Sequence, residues 1–206
     1  MRMQSNTITV VLALAAAAMA LSGCMTVRES NTARTPEEQI LLSQGVDRAL
    51  TNAVPTGLAG KKVFIDVTNL DCTDKAYVTD AVRQQLSQKK ALVVEKSGDA
   101  DTVVTVRAGM LATQSGSSLI GIPSIKFPAV VSSVAVETPE VAFFKHTSQT
   151  GRVKLSLTAY DSATRKLLEA REGDARTFFD RWHYMFFRNF ERTNVPELEI
   201  PLISDK

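Results

Sequence analysis

KVFIDVTNL (residues 62–70), followed by DCTDKAYVTDAVRQQLSQKK (71–90) and ALVVEK (91–96), is the stretch that decides the fold. In the first piece Val63, Ile65 and Val67 alternate with Phe64 and Asp66, between the breakers Gly60 and Asp71. That is the pattern of a strand covered at least partly on both faces. The second piece switches period: Tyr77, Val78, Ala81, Val82 and Leu86 fall at helical spacing. Lys89 and Lys90 close this helix at the negative end of its dipole. The third piece is a short strand, and after the turn Ser97-Gly98-Asp99 a longer one follows, TVVTVRAGML (102–111). Strand, helix, strand, turn, strand specifies the α/β (α+β) class: a small mixed sheet with two or three helices packed on it.

Upstream, Thr35-Pro36-Glu37-Glu38 offers an N-cap threonine, a proline at the first helical position and a glutamate three residues after the cap. Leu42, Val46, Ala49, Leu50 and Ala53 carry that helix forward until Pro55 and Gly57 end it. Downstream, Val153, Leu155, Leu157 and Ala159 share one face of a strand over 152–160. Asp161-Ser162-Ala163-Thr164 makes a turn, and residues 166–170 return as a hairpin.

Two segments resist this pattern. Residues 113–139 hold only two charges, Lys126 and Glu137, with three prolines, two glycines and six serines among Ile120, Ile122, Ile125 and Phe127. A loop of that length is unusual in a compact domain. Functional use or hidden strands are expected: a loop folded over the sheet, a partner-binding segment or a membrane-inserted β-hairpin, with Pro123, Pro128 and Pro139 counting against strand ladders. Near the C-terminus, Phe178, Phe179, Trp182, Tyr184, Phe186, Phe187 and Phe190 lie within thirteen residues. Phe179, Trp182, Phe186 and Phe190 fit one face of a helix over about 176–192, with Arg181, Arg188 and Arg192 interleaved. Core packing, a protein-binding face and a membrane-interface face are all open to such a stretch. Phe178 and Phe187 point away from the stripe, so one packed face does not bury everything.

The N-terminus supplies the address. Arg2 precedes an uncharged apolar run of fourteen residues, 8–21, short for a membrane span but suited to a signal-peptide core. Leu21-Ser22-Gly23-Cys24 follows directly and resembles the bacterial lipoprotein signal. That resemblance implies cleavage between Gly23 and Cys24 and acylation of Cys24, with diacylglycerol and an N-linked chain such as palmitate. Two or more chains anchor a protein stably. Met25 stands where an aspartate would imply inner-membrane retention, so the expectation is the periplasmic face of the outer membrane. The expected organisation is a signal peptide over 1–23, a lipidated flexible tether over 24–35 and one α/β domain over 36–206.

Removing 23 of the 206 residues leaves 183, enough for one proper core. The mature balance, 23 basic against 22 acidic residues, gives no electrostatic case for nucleic acid. With Cys24 acylated, Cys72 is the remaining thiol, read as a small buried apolar residue. Asp66, Asp71 and Asp74 gather at the end of the first strand, where carboxylates can serve acid–base chemistry or hold a cation. Turn formation and helix capping by Asp71 and Thr73 account for them better. His146, beside Lys145, reads as a surface residue, and His183, beside Trp182, as a packing one. No nucleophile, metal or cofactor motif accompanies them.

The motifs Thr32-Ala33-Arg34-Thr35-Pro36-Glu37-Glu38-Gln39, Gly121-Ile122-Pro123-Ser124, Pro139-Glu140-Val141-Ala142-Phe143-Phe144-Lys145 and Ala159-Tyr160-Asp161 resemble a family of uncharacterised bacterial lipoproteins. That family implies no catalytic residues. A more distant likeness, of fold, is to periplasmic α/β lipoproteins such as the activators of peptidoglycan synthases and the curli secretion-channel lipoprotein. The functional expectation is a non-enzymatic accessory or adaptor that binds an envelope protein. Ile122, Phe127, Phe178, Trp182 and Phe187 are the candidate contact residues, and the membrane is held through lipid at Cys24. A homo-oligomeric export or channel subunit is the alternative, and a periplasmic hydrolase a third.

Overall fold

A computed structural model describes residues 24–29, 34–127, 136–185 and 188–198. The elements are β1 (Cys24–Glu29), α1 (Pro36–Ala53), β2 (Lys62–Asp66), α2 (Lys75–Gln88), β3 (Leu92–Val94), β4 (Thr102–Ile122), β5 (Lys126–Phe127), β6 (Val136–Glu137), β7 (Val141–Asp161), β8 (Leu167–Tyr184) and β9 (Arg188–Thr193). The main sheet has the strand order β3-β2-β4-β7-β8-β9, and β1 pairs with β4 off that path. β2 runs parallel to β3 and to β4, with Val63 opposite Val93 on one side and Thr102 on the other. The mixed sheet with two packed helices is the α+β class expected.

The chain divides into two compact units. One comprises Glu29–Ser115, Gln149–Phe179 and Arg192–Lys206; the other comprises Met1–Arg28, Gly116–Ser148 and Asp180–Glu191. We call the first the helical unit and the second the strand unit.

The helical unit holds the core. Thr35 Oγ1 accepts from the Glu38 N–H at 3.3 Å and Glu38 Oε2 accepts from the Thr35 N–H at 3.0 Å, completing the capping box. From that start Leu41, Leu42, Val46, Ala49, Leu50 and Ala53 of α1 are buried. All but Leu41 cluster with Val153, Leu155, Leu157 and Ala159 of β7, all buried, while Val78, Ala81, Val82 and Leu86 of α2 join the same cluster. The period-two and period-3.6 patterns of the sequence thus point at one another across a single core. Phe179 packs with Leu41, Val195 and Leu198 in a second, smaller cluster. Thr177 Oγ1, fully buried, donates to the Leu41 carbonyl at 2.7 Å and ties β8 to α1.

Two expectations, the first and third below, are corrected, and one open alternative, the second, is narrowed. First, residues 176–192 are not a helix: β8 continues to Tyr184, and β9 begins at Arg188. Thr177 and Phe179 are buried with Phe178 between them only half-buried, which is strand alternation. Aromatic and β-branched residues favour the pleated surface, and the helical spacing of 179, 182, 186 and 190 was coincidental. Second, much of 113–139 is strand, since β4 runs to Ile122 and β5 pairs antiparallel with β6. Pro123 directly follows β4 and Pro139 lies just before β7, so these prolines punctuate strand ends without interrupting a ladder. Third, the α2 N-cap is Asp74, and its side chain makes no capping bond.

Residues 24–29, read as part of a tether, form β1. The signal segment 1–23 lies outside the described residues. Cys72 is half-buried against the core, and burial raises its thiol pKa.

The approach of α1 to β8 is set by a missing side chain. A Cβ on Gly173 would stand 1.9 Å from the Ala49 carbonyl oxygen and 3.0 Å from Ala53 Cβ. Gly173→Ala is expected to lower unfolding free energy by about 3 kcal/mol in urea denaturation, because helix backbone must move to admit the methyl. Gly98→Ala, where nothing lies within 4 Å, is the matched control and should leave stability within about 0.5 kcal/mol.

Candidate binding surface

In the strand unit, none of residues 116–125, 138–148, 180–185 and 188–191 is buried. Among the described residues thirteen large hydrophobic ones are exposed, and eight of them belong here: Ile120, Ile122, Ile125, Val141, Phe143, Tyr184, Met185 and Phe190. A sheet segment without a core needs another cover for its apolar side chains, which makes this unit the candidate site.

Its strands sort their side chains onto two faces. On one, the His146 ring stacks on Trp182 with centroids 4.8 Å apart and planes 5° from parallel. His146 Nε2 also stands 3.5 Å from Asp180 Oδ1. Phe144 meets Tyr184 edge-on at 5.1 Å, and Tyr184 meets Phe190 at 5.9 Å. The Arg188 guanidinium lies 5.3 Å from the Phe190 centroid. Phe144 and His146 are two apart on β7, and so are Trp182 and Tyr184 on β8, so this is one continuous aromatic face.

The alternate positions mix exposed Val141 and Phe143 with polar side chains that bond one another. Arg181 pairs with Glu191 at 2.7 Å, His183 Nδ1 bonds Asn189 Oδ1 at 2.7 Å, and Lys145 pairs with Glu140 at 2.8 Å. Near the turn between β8 and β9, the Met185 N–H donates to the Phe143 carbonyl at 2.8 Å. Gly121 lets β4 and β7 close up, since a Cβ there would lie 2.0 Å from the Val141 oxygen.

The residues singled out in sequence separate as follows. Ile122 ends β4 and is 57% exposed. Phe127 sits in β5 opposite Val136. Trp182 belongs to the aromatic face. Phe178 does not join it: it lies in the helical unit, with Arg192 5.4 Å from its ring centroid and its N–H donating to Asn194 Oδ1 at 2.9 Å. Phe187 lies outside the described residues, as does Gly23, while Cys24 is the first residue of β1. His146 is no plain surface residue, because the Trp182 ring covers it. Phe144 and His146 were missed as members of the face. Their spacing of two, within an otherwise polar run, was the available signal.

The carboxylates at the end of β2 disperse into structural roles. Asp66 Oδ1 accepts the Thr68 N–H at 3.0 Å, and bonds from Thr68 hold its carboxyl below the usual value. Asp74 pairs with Arg34. These two line the mouth of a concavity of about 610 Å³, with Ile40, Val46, Thr73 and Tyr77 among its walls. Tyr77 donates to Asp47 at 3.2 Å, and burial together with that carboxylate raises its pKa. Among the described residues no three His, Cys, Asp or Glu side chains converge as a metal would need, and no helix is long and apolar enough to cross a membrane.

The chain belongs to a family of unknown function (DUF6655), whose model matches residues 18–178. The match takes in Leu21-Ser22-Gly23-Cys24 and every strand up to most of β8, and stops before β9. No curated protein matches the chain.

Two measurements check these local assignments. In a double-mutant cycle of His146→Ala and Trp182→Phe, the stacked pair should show a coupling of about 1 kcal/mol in urea denaturation. Asp66→Asn should cost stability at neutral pH, with the difference from wild type fading as pH falls through the carboxylate range. The folded-state pKa is depressed, so the contribution exists only while Asp66 is ionised.

Proposed function

We propose that the protein is an outer-membrane-anchored periplasmic lipoprotein that works by binding, as an accessory or adaptor for another envelope protein. The observation that carries this reading is the cluster of exposed aliphatic and aromatic side chains where β4 ends and β7 begins. Ile122 is 57% exposed, Ile125 48%, Val141 40% and Phe143 52%. Water-exposed apolar groups at that density are a recognised mark of a contact surface. The address rests on the apolar run 8–21, the lipobox ending at Cys24 and the Met25 that follows it.

A homo-oligomer would use the same apolar groups, or the outer edge of β9, the last strand in the sheet order. β9 carries Arg188, Glu191 and Arg192. Charges on an edge strand oppose edge-to-edge pairing, which favours the adaptor over the oligomer.

A photo-crosslinking residue at Ile122 of the intact protein, activated in living cells, tests the reading. One discrete adduct with an envelope protein is the expected result, identified by mass spectrometry. Self-adducts alone would replace the adaptor with an oligomer. An absence of adducts, with the protein processed at Cys24, would remove this surface from the account.

A further inference from the structure

We propose that the aromatic face of the strand unit, formed by Phe144, His146, Trp182, Tyr184 and Phe190, rests in the headgroup layer of the membrane that holds the acyl chains of Cys24. The inference rests on the lipoprotein reading above and goes beyond it by naming the occupant of one face.

The distance between anchor and sheet is the first argument. Twelve free residues over 24–35 would let the folded chain wander on the order of 20 Å from its lipid, and about 40 Å at full stretch. β1 instead begins at Cys24 itself and pairs with β4, and residues through Arg28 belong to the strand unit. The acylated residue is therefore already part of the sheet. A lipid on Cys24 would thus set the bilayer surface beside the strand unit.

The sidedness of the unit is the second argument. One face binds its charges to one another, in Arg181 with Glu191 and Lys145 with Glu140, beside the exposed Phe143. The other presents rings. Tyr184 is 47% exposed and Phe190 46%, next to the half-buried Trp182. Trp and Tyr combine an apolar body with a polar tip and collect at the headgroup level. Asp180, the carboxylate on this face, is engaged by His146. Arg188, packed over Phe190, brings a cation to where lipid phosphates lie. Aromatic rings and a cation match an interfacial leaflet. The charge-paired face and the Ile122 end are left to a protein partner.

Depth follows from the same geometry. The His146 ring covers one side of Trp182, and the His146–Asp180 pair lies alongside. Charged groups resist entry into hydrocarbon, so the face settles about 5–10 Å deep, at the boundary of headgroups and acyl chains.

Trp182 is the single tryptophan of the chain, which makes it a built-in depth probe. Full-length acylated protein, purified from membranes, would be reconstituted in phosphatidylethanolamine–phosphatidylglycerol vesicles carrying bromine at carbons 6,7 or 11,12 of the acyl chain. The expected result is at least twofold quenching of Trp182 emission by the shallow bromines and weaker quenching by the deep ones, relative to unbrominated vesicles. Tyr184→Ser with Phe190→Ser should cut the shallow quenching about twofold in a protein whose circular dichroism is unchanged. Glu191→Gln on the opposite face should not. Equal emission in brominated and unbrominated vesicles, with the protein still vesicle-bound and acylated at Cys24 by mass spectrometry, would overturn the inference alone. A Cys24 that carries no acyl chain would overturn the lipoprotein reading on which it rests.

Discussion

Helix α1 lies on the sheet at backbone contact, and the rest of the helical unit depends on that contact. Gly173 faces the Ala49 carbonyl with no room for a methyl, and the Thr177 hydroxyl donates to the Leu41 carbonyl about two turns away. A helix held this closely cannot rotate without clashing, so its stripe of Leu42, Val46, Ala49 and Leu50 meets Val153, Leu155 and Leu157 in one register. The capping box at Thr35 and Glu38 fixes where the helix starts, and so which residues reach Gly173. α2 then closes the same core from beside β2, bringing Val78, Val82 and Leu86 to Val63 and Val104.

The strand unit obeys a different physics. β4, β7 and β8 contribute residues to both units, yet every buried side chain among the described residues falls in the helical one. In the strand unit ladders and side-chain pairs across strands replace a core. Ring contacts line one face, and ion pairs and a histidine–asparagine bond line the other. Such pairs are individually weak, so a sheet of this kind gains by being covered. That is the thermodynamic reason to look for function here, and to look for it in contacts with a surface.

How much of this could be read in advance varies with the kind of signal. The capping box, the β2–α2–β3 unit, the buried face of β7 and the turn at Asp161 all follow from local periodicity or local hydrogen bonding, where neighbours in sequence decide the outcome. In the turn, Asp161 Oδ1 takes the Thr164 N–H at 2.8 Å, as the residue types foretold. The failures share a cause. Residues 176–192 satisfy helical spacing and strand alternation at once, and only pairing with β7 and β9 selects the strand. The serines and glycines of 115–121 carry little propensity of their own and become strand because β7 runs beside them. His146 and Trp182 are 36 positions apart, so nothing local could stack one on the other.

The sequence by itself determined the class of fold, both helices, the inward face of β7 and the concentration of aromatics before the C-terminus. Each is a matter of composition or period within a few residues. Tertiary structure alone decided that the aromatics lie on strands, that Phe178 parts from Trp182, that Asp74 serves Arg34 and not its helix, and that the chain's exposed apolar groups gather where no core covers them. These depend on which distant strand becomes a neighbour. Ladder pairing settles that only when the whole sheet forms.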